Sequence, residues 1–80
     1  MNRNEILEKV KEVICNLTGE EIESVEEDSR ITEDLGMDSL DKVEFIMDLE
    51  TEFDINIPDE DAEEVLIVKE VVDYLTTKLY

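Results

Sequence analysis

Eighty residues make one small domain, which hides only about 60–65% of its unfolded surface on folding, so a catalytic cleft would compete with the core for the same apolar side chains. Twenty-five acidic residues against seven basic ones give a formal charge of −18; such a surface repels nucleic acid and anionic lipid headgroups and attracts partners with basic patches. One cysteine, Cys15, and no histidine exclude disulfide and zinc scaffolds. The 41% apolar content at helical spacing argues against a disordered acidic tail. The first ten residues lack the apolar core of a signal peptide and no run approaches a membrane span, so the expectation is a soluble cytoplasmic chain without membrane insertion.

From Glu5 to Leu17 the residues Ile6, Val10, Val13, Ile14 and Leu17 fall on one helical stripe. On that wheel Cys15 points almost opposite Ile6 and reads as a surface thiol. Gly19 can end the helix in a left-handed conformation. The stretch from there to Asp38 is acidic and aperiodic apart from Ile22, Val25, Ile31 and Leu35. About twenty residues without regular structure are unusual in a compact domain. The four apolar positions therefore read as anchors across the core, with a short helical turn near Glu20 to Glu23.

A second helix is expected from Asp38 or Ser39 to about Phe53, with Asp38 as N-cap and Asp41 in the first turn. It carries two apolar faces. Phe45, Ile46, Leu49 and Phe53 share one side and read as core, while Leu40, Val43 and Met47 lie nearly opposite, bordered by Glu44 and Glu50. That second face either packs against the long connection or is an exposed contact stripe. Pro58 holds Ile57 extended and suits a helix start, so residues 58–64 read as a short acidic third helix. Val68, Val71, Val72, Leu75 and Leu79 mark a final helix ending close to Tyr80. No strand is required. The expectation is an all-α protein: a small four-helix bundle, residues 1–80 as a single domain, with a long connection between helices one and two and a short third helix.

Ser39 lies in Asp34-Leu35-Gly36-Met37-Asp38-Ser39-Leu40-Asp41, with a flexible glycine before it and a periodic helix after it. This exposes a hydroxyl at a helix N-terminus, where free amides and the helix dipole tolerate an added phosphodiester although Asp38 and Asp41 oppose it. Taken alone, Ser39 reads more readily as an ordinary helix-start serine than as a modification site. Nucleophilic catalysis needs a base and an oxyanion hole. The chain has no histidine, and Gly-x-Ser-x-Gly is absent. No catalytic acid is assigned among the abundant carboxylates, no calcium-loop pattern surrounds either glycine, and no metal or enzyme activity is expected.

Around Asp38-Ser39-Leu40, with Glu33-Asp34-Leu35-Gly36 before and Asp41-Lys42-Val43-Glu44 after, the chain resembles the bacterial acyl carrier proteins. The resemblance continues through Glu52-Phe53-Asp54, Ile57-Pro58-Asp59 and Val72-Asp73-Tyr74-Leu75. It implies that a holo-carrier synthase, a phosphopantetheinyl transferase, moves 4'-phosphopantetheine from coenzyme A to Ser39, with Asp38 recognised by that synthase. The terminal thiol then holds acyl groups as thioesters for fatty acid synthesis. The resemblance further implies a face of Asp38, Leu40, Val43, Glu44, Met47 and Glu50 that docks onto basic patches of fatty acid synthesis enzymes and acyltransferases. It places an acyl-chain pocket at Ile46, Leu49, Ile57, Ala62 and Val65, and it suggests a monomer.

Three departures from the family pattern involve four positions. Thr51 replaces an acid found in many relatives, Leu66 and Ile67 stand where threonines are frequent, and Val71 replaces a frequent alanine. The second departure implies a last helix without a good N-cap, a cost of about 1 kcal/mol; the third implies a narrower acyl slot. The alternative functions are a specialised carrier for a polyketide, lipid-tailoring or aminoacyl pathway, and an unmodified acidic module that masks basic surfaces. Met37-Asp38-Ser39 leans toward acyl carriers over the carriers of peptide synthesis.

Overall fold

The computed structural model describes residues Asn2–Leu79 and contains four α-helices: α1 (Arg3–Thr18), α2 (Ser39–Phe53), α3 (Asp59–Glu64) and α4 (Val68–Leu79). The part of the sequence reading that runs to Tyr80 lies outside the described residues. α1 packs against both α4 and α2. Its stripe is Ile6, Val10, Val13 and Ile14, all buried. It meets Phe45, Leu49 and Phe53 of α2 and Val68, Val71, Val72 and Leu75 of α4 in one core cluster. Each such aliphatic or aromatic side chain contributes about 1.5–3 kcal/mol through burial. Phe45 is the largest fully buried side chain, so its truncation would leave the largest void.

Both long N-termini are closed by reciprocal hydrogen bonds. The Asn2 side chain accepts from the Glu5 amide at 2.9 Å and the Glu5 carboxylate accepts from the Asn2 amide at 3.3 Å, so α1 starts earlier than its apolar stripe suggested. Gly19 ends α1 at φ 81°, its amide donating to the Cys15 carbonyl at 2.9 Å. Asp54 ends α2 in the same left-handed region at φ 53°, a conformation that aspartate tolerates better than most residues.

The connection between α1 and α2 is tied down by backbone as well as by apolar anchors. Val25, Ile31, Leu35 and Met37 are buried, and a 3-10 turn spans Ile22–Ser24. Ile22 does not act as the fourth anchor: at 37% exposure it belongs to the surface. The Ile31 amide donates to the Leu66 carbonyl at 3.0 Å and the Val68 amide to the Ser29 carbonyl at 3.1 Å. These bonds join the connection to the α3–α4 link as an isolated antiparallel bridge between Arg30 and Ile67. Pairing of this kind satisfies amides that would otherwise be stranded near the core.

Two local expectations are corrected. Cys15 is half-buried against the core rather than a surface thiol, because the segment with the 3-10 turn packs back against α1; burial, with Glu20 and Glu23 nearby, pushes its thiol pKa up. The start of α4 is also not bare. The Glu70 carboxylate accepts from the amides of Leu66 at 2.9 Å and Ile67 at 3.1 Å, which supplies from within the helix what a preceding threonine would have supplied.

On the surface, Arg3 joins three segments by pairing with Glu27 of the connection at 2.6 Å and Asp73 of α4 at 3.1 Å. Lys9 meets Glu52 at 3.6 Å. Such exposed pairs stabilise by about 0–1 kcal/mol each, so the bundle is held by its apolar stripes.

Candidate functional site

The sequence after the connection must deliver Ser39 to solvent in a fixed orientation, and the local structure does so in three steps. Ile31 and Leu35 are buried, and Gly36 turns the chain at φ 71°, a region in which a side chain would be strained. Met37 follows, buried at 1% exposure, its amide donating to the Ile31 carbonyl at 3.2 Å. Asp38 then caps α2: its Oδ1 accepts from the Asp41 amide at 2.8 Å, and Asp41 Oδ2 accepts from the Asp38 amide at 3.5 Å. Ser39 is thus the first helical residue and is exposed. The Asp38 carbonyl takes the Lys42 amide at 2.9 Å, which completes the first turn without using the Ser39 side chain.

Ser39 opens onto a groove of about 1140 Å³ between α2 and the segment that follows it. Val43, Ile46 and Met47 line it from α2, and Ile57, Pro58 and Ala62 line it from the other side. Of the five residues expected to form an acyl pocket, Ile46, Ile57 and Ala62 meet here. Leu49 and Val65 do not: Leu49 is at 0% exposure inside the core, and Val65 is buried at the end of α3. Val71 is likewise buried and lines none of the groove. Sequence reasoning missed Lys42, Thr32 and Glu63 as lining residues. Lys42 was within reach, because a residue three after Ser39 shares its helix face.

The face of α2 away from the core resolves the earlier ambiguity. Leu40, Val43 and Met47 are 69%, 55% and 58% exposed, so the connection does not cover them. Asp38 and Glu44 are exposed beside them. Glu50 is different: it is half-buried and its Oε2 accepts from the Ile57 amide at 2.8 Å. It holds the loop that forms the far wall of the groove. Tyr74 does similar work for α3, its hydroxyl donating to Asp61 Oδ2 at 2.7 Å. Burial and that carboxylate push the Tyr74 pKa up to about 12. Near the other end of the connection, the backbone amide and guanidinium of Arg30 both donate to Asp34 and hold its carboxyl below the usual range.

An exposed serine stands at a capped helix start beside an exposed apolar face bordered by acidic residues, and on the rim of an open groove. The phosphopantetheine attachment site family matches residues 8–75. The acyl carrier protein of Chlorobium phaeobacteroides is 45% identical over 78 residues, covering 98% of this chain and all of the relative. The acyl carrier protein of Thermosynechococcus vestitus is 46% identical over 79 residues, covering 99% of this chain and 98% of the relative.

The chain belongs to the acyl carrier protein family. It is a carrier and not an enzyme, its prosthetic group is 4'-phosphopantetheine, and it carries acyl intermediates for fatty acid synthesis. Its partners in general are a phosphopantetheinyl transferase and the enzymes of fatty acid synthesis. The residues present fit the group, since Ser39 is an exposed hydroxyl that borders a groove with apolar lining. Among the described residues no helix is long and apolar enough to cross a membrane.

Proposed function

We propose that Ser39 is the residue that bears the phosphopantetheine arm and that residues 1–80 act as one cytoplasmic, monomeric carrier domain. The observation that carries this reading is the position of Ser39: first in α2, exposed, and on the rim of the groove, with Met37 buried before it and the Asp38–Asp41 bonds fixing the turn. When bound, the group supplies a terminal thiol for thioester formation. The protein orients the attachment point, and the apolar lining of Ile46, Ile57 and Ala62 offers an alkyl chain a place out of water, worth about 0.8 kcal/mol per buried CH₂. Incubation with coenzyme A and a phosphopantetheinyl transferase is expected to add one arm to the chain and none to Ser39→Ala. Equal addition to both would overturn the assignment.

Asp38, Leu40, Val43, Glu44 and Met47 form the docking face for enzymes with basic patches. Their exposure supports this, as does the field of a chain with charge −18. Met47 suits a surface that fits several partners in turn, because its side chain is flexible and polarizable. Glu50 borders the face, but its carboxylate also serves the loop before α3. Weak, salt-sensitive complexes match a carrier that must leave each enzyme after one step.

A further inference from the structure

The charged residues that line the groove are Asp38, Glu50, Asp59, Glu63 and a single cation, Lys42. Among the described residues, Arg3, Lys9 and Arg30 each have a carboxylate within 4.0 Å, whereas Lys42 has none. Lys42 is half-buried and lies three residues after Ser39, so the two side chains are neighbours on one face of α2. An anion joined to Ser39 would stand beside the carboxylates of Asp38 and Asp41 at the helix start. The cation on its other side is the one groove residue able to offset that repulsion.

We infer that Lys42 is the counter-ion of the phosphodiester on Ser39 and that this pairing lays the arm along the groove toward Ile46, Ile57 and Ala62. The inference rests on Ser39 as the attachment point. It makes Lys42 a positioning residue: it sets the resting direction of the arm and takes no part in thioester chemistry. Pairing of this kind is charge-assisted yet partly solvated, so it is weak enough for a partner enzyme to draw the arm out.

The full chain is compared before and after treatment with a phosphopantetheinyl transferase and coenzyme A, using a brief pulse of acetic anhydride and mass spectrometry of each lysine. Lys11 and Lys69, which also lack a carboxylate within 4.0 Å, serve as internal references. Modification is expected to lower Lys42 labelling about two- to fivefold against those references, the range of an exposed ion pair. The protection should vanish near 1 M salt, where the screening length falls to about 3 Å. Equal labelling of Lys42 in the two forms overturns the pairing, and so does protection that survives high salt, which means steric cover.

A second measurement follows the amide signals of Ile57 and Ala62 by NMR. They should shift on modification in the parent chain and in Lys42→Arg, and by a smaller amount in Lys42→Gln. Equal shifts in all three overturn the proposal. Absence of any added mass on Ser39 would sink the attachment reading and this inference together, whereas added mass with unprotected Lys42 removes this inference alone.

Discussion

Reversing the charge of Glu50 and of Glu44 should separate a residue that holds the fold from one that only faces partners. Both lie on the outer part of α2, yet Glu50 accepts a hydrogen bond from the Ile57 amide at 2.8 Å while Glu44 is exposed. A hydrogen bond to a charged group contributes about 1.5–3 kcal/mol, and the partial exposure of Glu50 brings the expected loss to the lower end, about 1–2 kcal/mol. Either lysine substitution also moves the net charge from −18 to −16, which relieves self-repulsion and works in the opposite direction. Glu44→Lys is therefore the control for charge alone, with an expected change within about 0.5 kcal/mol. Glu50→Lys should melt lower than Glu44→Lys by about 4–16 °C, since 1 kcal/mol shifts the midpoint of a domain this size by about 4–8 °C. Glu50→Gln keeps a neutral acceptor and should fall between them. Thermal unfolding followed by circular dichroism reads the difference. Matching midpoints for the two lysine variants would refute the role of the Glu50–Ile57 bond.

Other outcomes follow from the same structure. Tyr74 should ionise near pH 12, read by tyrosinate absorbance against Tyr74→Phe; its folded pKa lies above the ordinary value of 10.0, so the stability it supplies is present below pH 10 and lost as pH rises through 12. A Tyr74 that ionises at the ordinary value would mean that the Asp61 bond is not formed in solution. Asp34 has the opposite sign: its folded pKa lies below 3.8, so its contribution is present above that value and lost as the pH falls through the folded pKa. Asp34→Asn should then show a shallower acid loss of urea resistance than the parent, and parallel curves would count against the Arg30 pairing. Added Mg²⁺ or salt should raise the melting temperature by screening the charge of −18; a flat or falling trend would show that self-repulsion does not limit stability.

Much of the fold is written in local pattern. The stripes of α1, the core face of α2 and the run from Val68 to Leu79 follow the 3.6-residue period closely enough to place each helix and its buried side. The start of α2 was legible from Asp38 as N-cap and acidic Asp41 in the first turn, and the structure joins the two as a reciprocal cap. Asn2 and Glu5 carry the same spacing and could have been read in the same way. What stayed hidden depends on contacts between distant segments. The bridge of Arg30 with Ile67 uses backbone atoms, which leave no mark on side-chain pattern. Glu50 reaches Ile57 and Tyr74 reaches Asp61 across turns whose geometry no single helix wheel contains. Cys15 was misread for that reason: a wheel describes one helix, and the segment that packs back against α1 lies outside it.

The site shows the same division. Its place before a periodic helix singled out Ser39 as an exposed hydroxyl but left its role to the family resemblance, and the second stripe of α2 left burial and exposure both open until packing showed Leu40, Val43 and Met47 exposed. The pocket residues came from resemblance alone; Ile46, Ile57 and Ala62 line the groove and Leu49 and Val65 do not, although Ile46, Leu49, Ile57 and Val65 all belong to the one core cluster. Position along a helix separates Ile46 from Leu49 by less than one turn. Both are buried, and only the packing of neighbouring elements decides which of them lines the groove.

The most direct measurement is tandem mass spectrometry of the tryptic peptide Ile31–Lys42 from protein purified from its native host. This peptide contains two hydroxyl side chains, Thr32 and Ser39, so fragment masses assign an attached group to one or the other. The phosphopantetheine mass is expected on Ser39. The same mass found on Thr32, or a bare peptide from cells whose transferase is active on a related carrier, would contradict it.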